Sequence, residues 1–223
     1  MAKALDLDEQ EQLDQIKHFW KTWGNLISWV LIAVLGSYAA WNGYQYWERS
    51  QAAKAAALYD EVERAVASGD LGRVERSLAD MKDKFGRTQF AQQSALLAAK
   101  TLQAQGKPDA AREALSWVVS GAADPAYRDI ARLRLASLHL QDKAYDDALK
   151  QLTSDFTPEM SGLAADLRGD VLQAKGQSAE AIAAYQQAWQ KLADTPDYRG
   201  LVKAKLNALG IDPDAAVVSE TPK

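Results

Sequence analysis

The chain has 223 residues, 48% of them hydrophobic, a formal charge of −4 and no cysteine, which leaves room for one sizeable domain. The missing cysteines exclude disulfides, thiol catalysis and thiolate metal sites. Acids and bases nearly balance and no basic stripe occurs, so no nucleic-acid partner is expected.

Residues 1–21 form a short tail with three lysines and five acids. An uncharged run follows from Thr22 to Trp47, bounded by Lys21 and Glu48. A helix rises about 1.5 Å per residue, so roughly 20 residues cross the ~30 Å hydrocarbon core of a bilayer. The run is long enough to do so. A cleavable signal peptide has a shorter apolar region and a small-residue cleavage site, whereas Ala40 is followed by Trp41, Tyr44, Tyr46 and Trp47. A buried core helix has no reason to collect aromatic rings at both ends, yet five of the seven tryptophans fall between Trp20 and Trp47. The segment 22–47 therefore reads as a transmembrane helix in contact with membrane lipid. Lys17 and Lys21 before it nearly balance Arg49 and Lys54 after it. The short preceding tail favours a cytoplasmic N-terminus and a C-terminal domain outside. Ala33, Gly36, Ala40 and Gly43 share one face, where small residues would let a second membrane helix approach closely. Gly and Ala are also simply frequent in such helices.

From residue 48 to 210 the sequence is rich in Ala, Leu, Gln and charged residues at helical spacing, as in Leu133, Ala136, Leu138 and Leu140. Alternating β-branched runs are absent, so the fold class is all-α. Gly and Pro punctuate the helical stretches with a period. The segments QAQGKPDAAREAL (103–115), LQDKAYDDALKQL (140–152) and QAKGQSAEAIAAY (173–185) each read as a helix end, a turn and a helix start. They place Ala111, Ala148 and Ala181 at one offset, and a fainter copy at 67–78 places Val74 there. A helix–turn–helix unit near 34 residues is the tetratricopeptide signature. One hairpin cannot bury its apolar face alone, so such units stack. The expectation is a tetratricopeptide-like α-solenoid of about four hairpins, closed by a cap helix over 197–209; a non-repeating helical bundle is the alternative. Arg199, Lys203, Lys205 and Asn207 would give the cap a polar face. Residues 211–223, with Pro213 and Pro222, are expected to be a disordered tail.

No phosphate-binding loop, zinc-protease helix, nucleophile elbow or calcium loop occurs. His139 lies between two leucines without a second histidine and is expected to pack rather than ligate. Asp146 and Asp147 sit where a helix starts, where its dipole favours acids. The chain is therefore read as a non-enzyme without cofactor. The first helices of the hairpins would line a groove, with Tyr59, Glu63, Lys100, Gln103, Leu133, Leu140, Asp166 and Gln173 as candidate binding residues whose assignment depends on register.

The stretch DEQEQLDQIKHFWKTWGNLI (8–27) followed by a single span resembles the start of the YfgM-like proteins of Gram-negative bacteria, and so do 133–152 and 167–185. The resemblance implies an ancillary subunit of the SecYEG translocon in the bacterial inner membrane, with a periplasmic tetratricopeptide-like domain. It further implies contact with a membrane-anchored periplasmic peptidyl-prolyl isomerase and a role in handing exported client proteins to chaperones. A cell-envelope assembly or divisome scaffold that uses a tethered helical-repeat domain is the other reading.

Overall fold

The computed structural model describes residues 7–153 and 155–215, with side chains from residue 11 onward. The described residues form nine α-helices and no strand: α1 (Leu7–Ser68), α2 (Leu71–Phe85), α3 (Gln89–Ala104), α4 (Pro108–Gly121), α5 (Pro125–Gln141), α6 (Tyr145–Leu152), α7 (Pro158–Ala174), α8 (Ser178–Lys191) and α9 (Pro196–Ala208). The all-α expectation holds. The chain divides into two compact units between Gln51 and Ala52.

In the first unit, α1 carries the apolar run, and it is the one described helix long and apolar enough to cross a membrane. Leu26, Trp29, Val30, Leu31, Ile32, Val34 and Leu35 are all exposed. Three polar side chains within the run satisfy themselves on its own carbonyls. Thr22 Oγ1 donates to His18 O at 2.9 Å, Ser37 Oγ to Ala33 O at 2.7 Å and Asn42 Nδ2 to Tyr38 O at 2.9 Å. Such back-bonding lowers the penalty for these three groups in a medium without water. The same helix continues to Ser68 and supplies the first helix of the first hairpin. No proline interrupts it, and Gln51 to Ala57 contains five alanines, the strongest helix former.

The second unit is a row of hairpins: the end of α1 with α2, then α3 with α4, α5 with α6 and α7 with α8. One rule of sequence builds all four. Each turn contains a residue in the left-handed region: Gly69 (φ 70°), Gly106 (φ 76°), Lys143 (φ 60°) and Gly176 (φ 84°). Seven residues before it stands Val62, Ala99, Ala136 or Gly169, all buried. Five residues after it stands Val74, Ala111, Ala148 or Ala181, each with no exposed surface. Nine residues after it stands Leu78, Leu115, Leu152 or Tyr185, again buried. In the last three hairpins this pair is small and lets the helices approach, while the larger residue fills the space beside it; the first hairpin has Val62 and Val74 at the same positions. Proline opens α4, α5, α7 and α9 at a position whose N–H has no helical partner.

The core follows the stack as a chain of clusters. Ala65, Val74, Leu78, Leu102, Leu115 and Leu138 belong to one, Ala136, Ala148, Leu152 and Val171 to the next, and Tyr185, Leu192, Val202 and Leu206 to the last. Ion pairs at the turn ends tie successive hairpins together. Lys107 reaches Glu75 at 2.8 Å, Lys175 reaches Asp146 at 2.6 Å, and Arg112 pairs with Asp142.

α9 departs from the hairpin rule. Seven residues before the left-handed Gly210, where the last three hairpins carry Ala or Gly, it has Lys203, whose ammonium pairs with Asp214. The described residues run past the domain boundary expected at residue 210: Ile211 packs on the last cluster and Pro213 is buried. Residues 216–223, the rest of the expected disordered tail, lie outside the described residues. The cap face also differs from the expectation. Lys205 turns inward and Arg199 lies over the Trp189 ring at 3.7 Å, so stacking, not solvation alone, holds α9.

Candidate interaction surface

The groove residues named from sequence separate into two groups. Tyr59, Gln103, Leu133, Leu140 and Asp166 are occupied with packing inside the stack. Tyr59 stacks on Phe90 of α3, ring centroids 5.8 Å apart. Burial first, and the neighbouring Glu63 carboxylate second, push its phenol above the ordinary tyrosine range. Gln103 Nε2 donates to Gln141 Oε1 of α5 at 3.1 Å. Leu133 and Leu140 pack with Leu167 against the α6–α7 cluster. Glu63, Lys100 and Gln173 remain exposed, on α1, α3 and α7. The register explains the division. Ten residues before each left-handed turn stand Tyr59, Leu96, Leu133 and Asp166, and this position meets the next first helix rather than solvent.

Asp166 belongs to a cluster that the sequence reading missed. It is 2% exposed. Lys205 of α9 donates to Asp166 Oδ1 at 2.8 Å, to its Oδ2 at 2.9 Å and to Asp170 Oδ2 at 2.9 Å. Tyr198 donates to Asp166 and Tyr185 to Asp170, both at 2.8 Å. Lys205 also lies 5.4 Å from the centroid of the Tyr185 ring. Both phenols are pushed far above their ordinary range, first by burial and then by the carboxylates they bond. Two carboxylates share one ammonium and two hydroxyl donors, so each charge in this half-buried place is satisfied. The legible signal was Asp166 and Asp170 at i, i+4 on one helix, with Tyr198 and Lys205 two turns apart on another. The cluster welds α9 to α7 and α8.

Other candidates are placed as follows. Ala33, Gly36, Ala40 and Gly43 are all exposed on α1, and a Cβ added at Gly36 or Gly43 would meet nothing within 4 Å. Asp146 is committed to Lys175 at the first turn of α6. Asp129, buried, accepts from Thr157 N at 2.8 Å and so anchors the start of α7.

These features define a class: a tetratricopeptide-like helical-hairpin protein that carries one apolar helix fit to span a membrane. A family model described as a tetratricopeptide repeat-like domain matches residues 17–211. A protein of Neisseria gonorrhoeae is 34% identical over 208 residues, covering 92% of this chain and 99% of the relative. One from Escherichia coli is 28% identical over 217 residues, and one from Haemophilus influenzae 26% over 206, each with 92% of this chain and 98% and 100% of the relative. All three relatives bear the name ancillary SecYEG translocon subunit. The chain belongs to the tetratricopeptide repeat-like domain family and, within it, to the YfgM-like family.

Proposed function

We propose that this chain is an ancillary subunit of the SecYEG translocon, held in the inner membrane by residues 22–47 with its N-terminus in the cytoplasm and its helical domain in the periplasm. The observation that carries the reading is likeness over the full length of relatives bearing that name, apolar helix included. The helical domain acts by binding, not by catalysis. Its place beside the translocon exit would let it contact a membrane-anchored periplasmic peptidyl-prolyl isomerase and pass exported clients to chaperones. The back-bonding of Thr22, Ser37 and Asn42 and the aromatic ends of the run support a lipid environment.

The test is purification of the tagged full chain in mild detergent. Translocon subunits and the isomerase should co-purify with it, in amounts that survive dilution. Recovery without translocon subunits would overturn the reading. A reporter active only outside the cytoplasm, fused after Lys223, should be active; an inactive fusion would reverse the orientation and remove the periplasmic role.

A further inference from the structure

The second helices of the first two hairpins leave a trough between them. Its walls are Glu75, Ala79, Lys82 and Asp83 on α2 and Ala110 and Glu113 on α4, and its volume is about 660 Å³. The cause is side-chain size, because facing positions Ala79, Ala110 and Ala114 are alanines that cannot fill the space between two helices. The floor reaches through the layer of second helices to Leu102 of α3, itself 1% exposed, beside Leu78.

The charges on the rim are unevenly committed. Glu75 is tied to Lys107 at 2.8 Å. Lys82 leans over the Trp117 ring, 5.6 Å from its centroid, and reaches Glu113 only at 3.8 Å. The Glu113 side chain stays 82% exposed. Asp83 makes no ion pair among the described residues. One carboxylate on each wall therefore faces solvent above an apolar floor. That arrangement complements a chain with an apolar side chain in the middle and a cation on each flank.

We propose that the α2–α4 trough is a docking site for a partner segment in which an apolar residue is flanked by Lys or Arg. The apolar side chain enters between Ala79 and Ala110 toward Leu78 and Leu102, and the flanking cations meet Asp83 and Glu113. This site goes beyond the translocon reading and does not depend on it. Non-directional apolar burial supplies the affinity, and the two exposed carboxylates select the charge of the flanks.

The experiment titrates the full chain in neutral maltoside micelles with acetyl-Lys-Ala-Leu-Ala-Lys-amide and with its Glu-flanked counterpart. Binding is read from the methyl resonances of Ala79, Ala110 and Ala114 and the indole N–H of Trp117. The Lys-flanked peptide should give saturable shifts confined to these groups. Ala79→Leu, at an exposed position, should abolish them while leaving the helical circular dichroism unchanged. Asp83→Asn with Glu113→Gln should weaken binding about fivefold, as two exposed ion pairs allow. Equal shifts with the Glu-flanked peptide, shifts that persist in Ala79→Leu, or no saturable response would each overturn the proposal.

Discussion

The second and fourth hairpins solve one packing problem with different residues. In α3–α4 the notch is Ala99 and the residue beside it Leu115; in α7–α8 the notch is Gly169 and the residue Tyr185. A Cβ built on Gly169 would lie 2.4 Å from Tyr185 Cε1 and 2.5 Å from Cδ1, so the deeper notch exists for the larger ring. The ring is there because its hydroxyl bonds Asp170 in the cluster that receives α9. The second hairpin meets another first helix through Leu96, whereas the fourth meets α9 through Asp166. Both interfaces combine apolar and polar contact: Leu96 packs in the core while its carbonyl accepts from Arg134 at 2.8 Å, and α9 seats Val202 and Leu206 in the last cluster, where the terminal hairpin adds the charged network around Asp166.

The largest effect should come from Gly169→Ala. Alanine gains about 1 kcal/mol in helix propensity over glycine, but the clash with Tyr185 should dominate and leave a net loss of about 2 kcal/mol. Adding Tyr185→Leu recreates the alanine–leucine pair of the second hairpin and should recover about half of the loss in chemical denaturation. A double variant less stable than Gly169→Ala alone would break the equivalence of the two hairpins.

Lys205→Met leaves Asp166 and Asp170 without their cation. Loss of one member of a buried pair costs several kcal/mol. Partial exposure of Lys205 and Asp170 reduces this to about 1.5 kcal/mol. Hydrogen exchange should accelerate in α9 and spare α3 and α4; equal acceleration throughout would show that the cluster is not local.

The phenols give a pH test of the same region. The folded state holds Tyr185 and Tyr198 protonated above the ordinary value of 10, so above that pH the unfolded chain releases protons that the folded chain retains. Their contribution to stability is complete below pH 10 and declines as pH rises beyond it. Tyr185 and Tyr198 should ionise only well above pH 10, together with loss of helical signal from α9. Their ionisation near pH 10 in a chain that is still folded would contradict the burial.

Smaller effects test the turns. Lys143 occupies the left-handed position that is glycine in the other three hairpins. Lys143→Gly should stabilise by about 1 kcal/mol, measured by thermal unfolding. Glu75→Gln should cost about 0.5 kcal/mol or less and lose even that at high salt, because its pair with Lys107 is exposed.

The hairpins were legible because spacing alone fixes them. A small residue at a constant offset from a turn signal identified the second, third and fourth units, and Val74 at the same offset identified the first. The groove was less legible, because Tyr59, Leu133 and Asp166 sit at a position that looks outward in one hairpin and inward once the next is stacked. Whether such a residue meets water or a neighbour depends on the stack, not on its own helix.

The sequence by itself determined the apolar helix, the helical class and the period, since each follows from runs and spacings along one chain. Only the tertiary structure decided that Lys205 faces inward, that Gly169 makes room for Tyr185, and that alanines on α2 and α4 leave a trough open to Leu102. Those outcomes depend on residues brought together from separate helices, where volume and charge must be balanced in space.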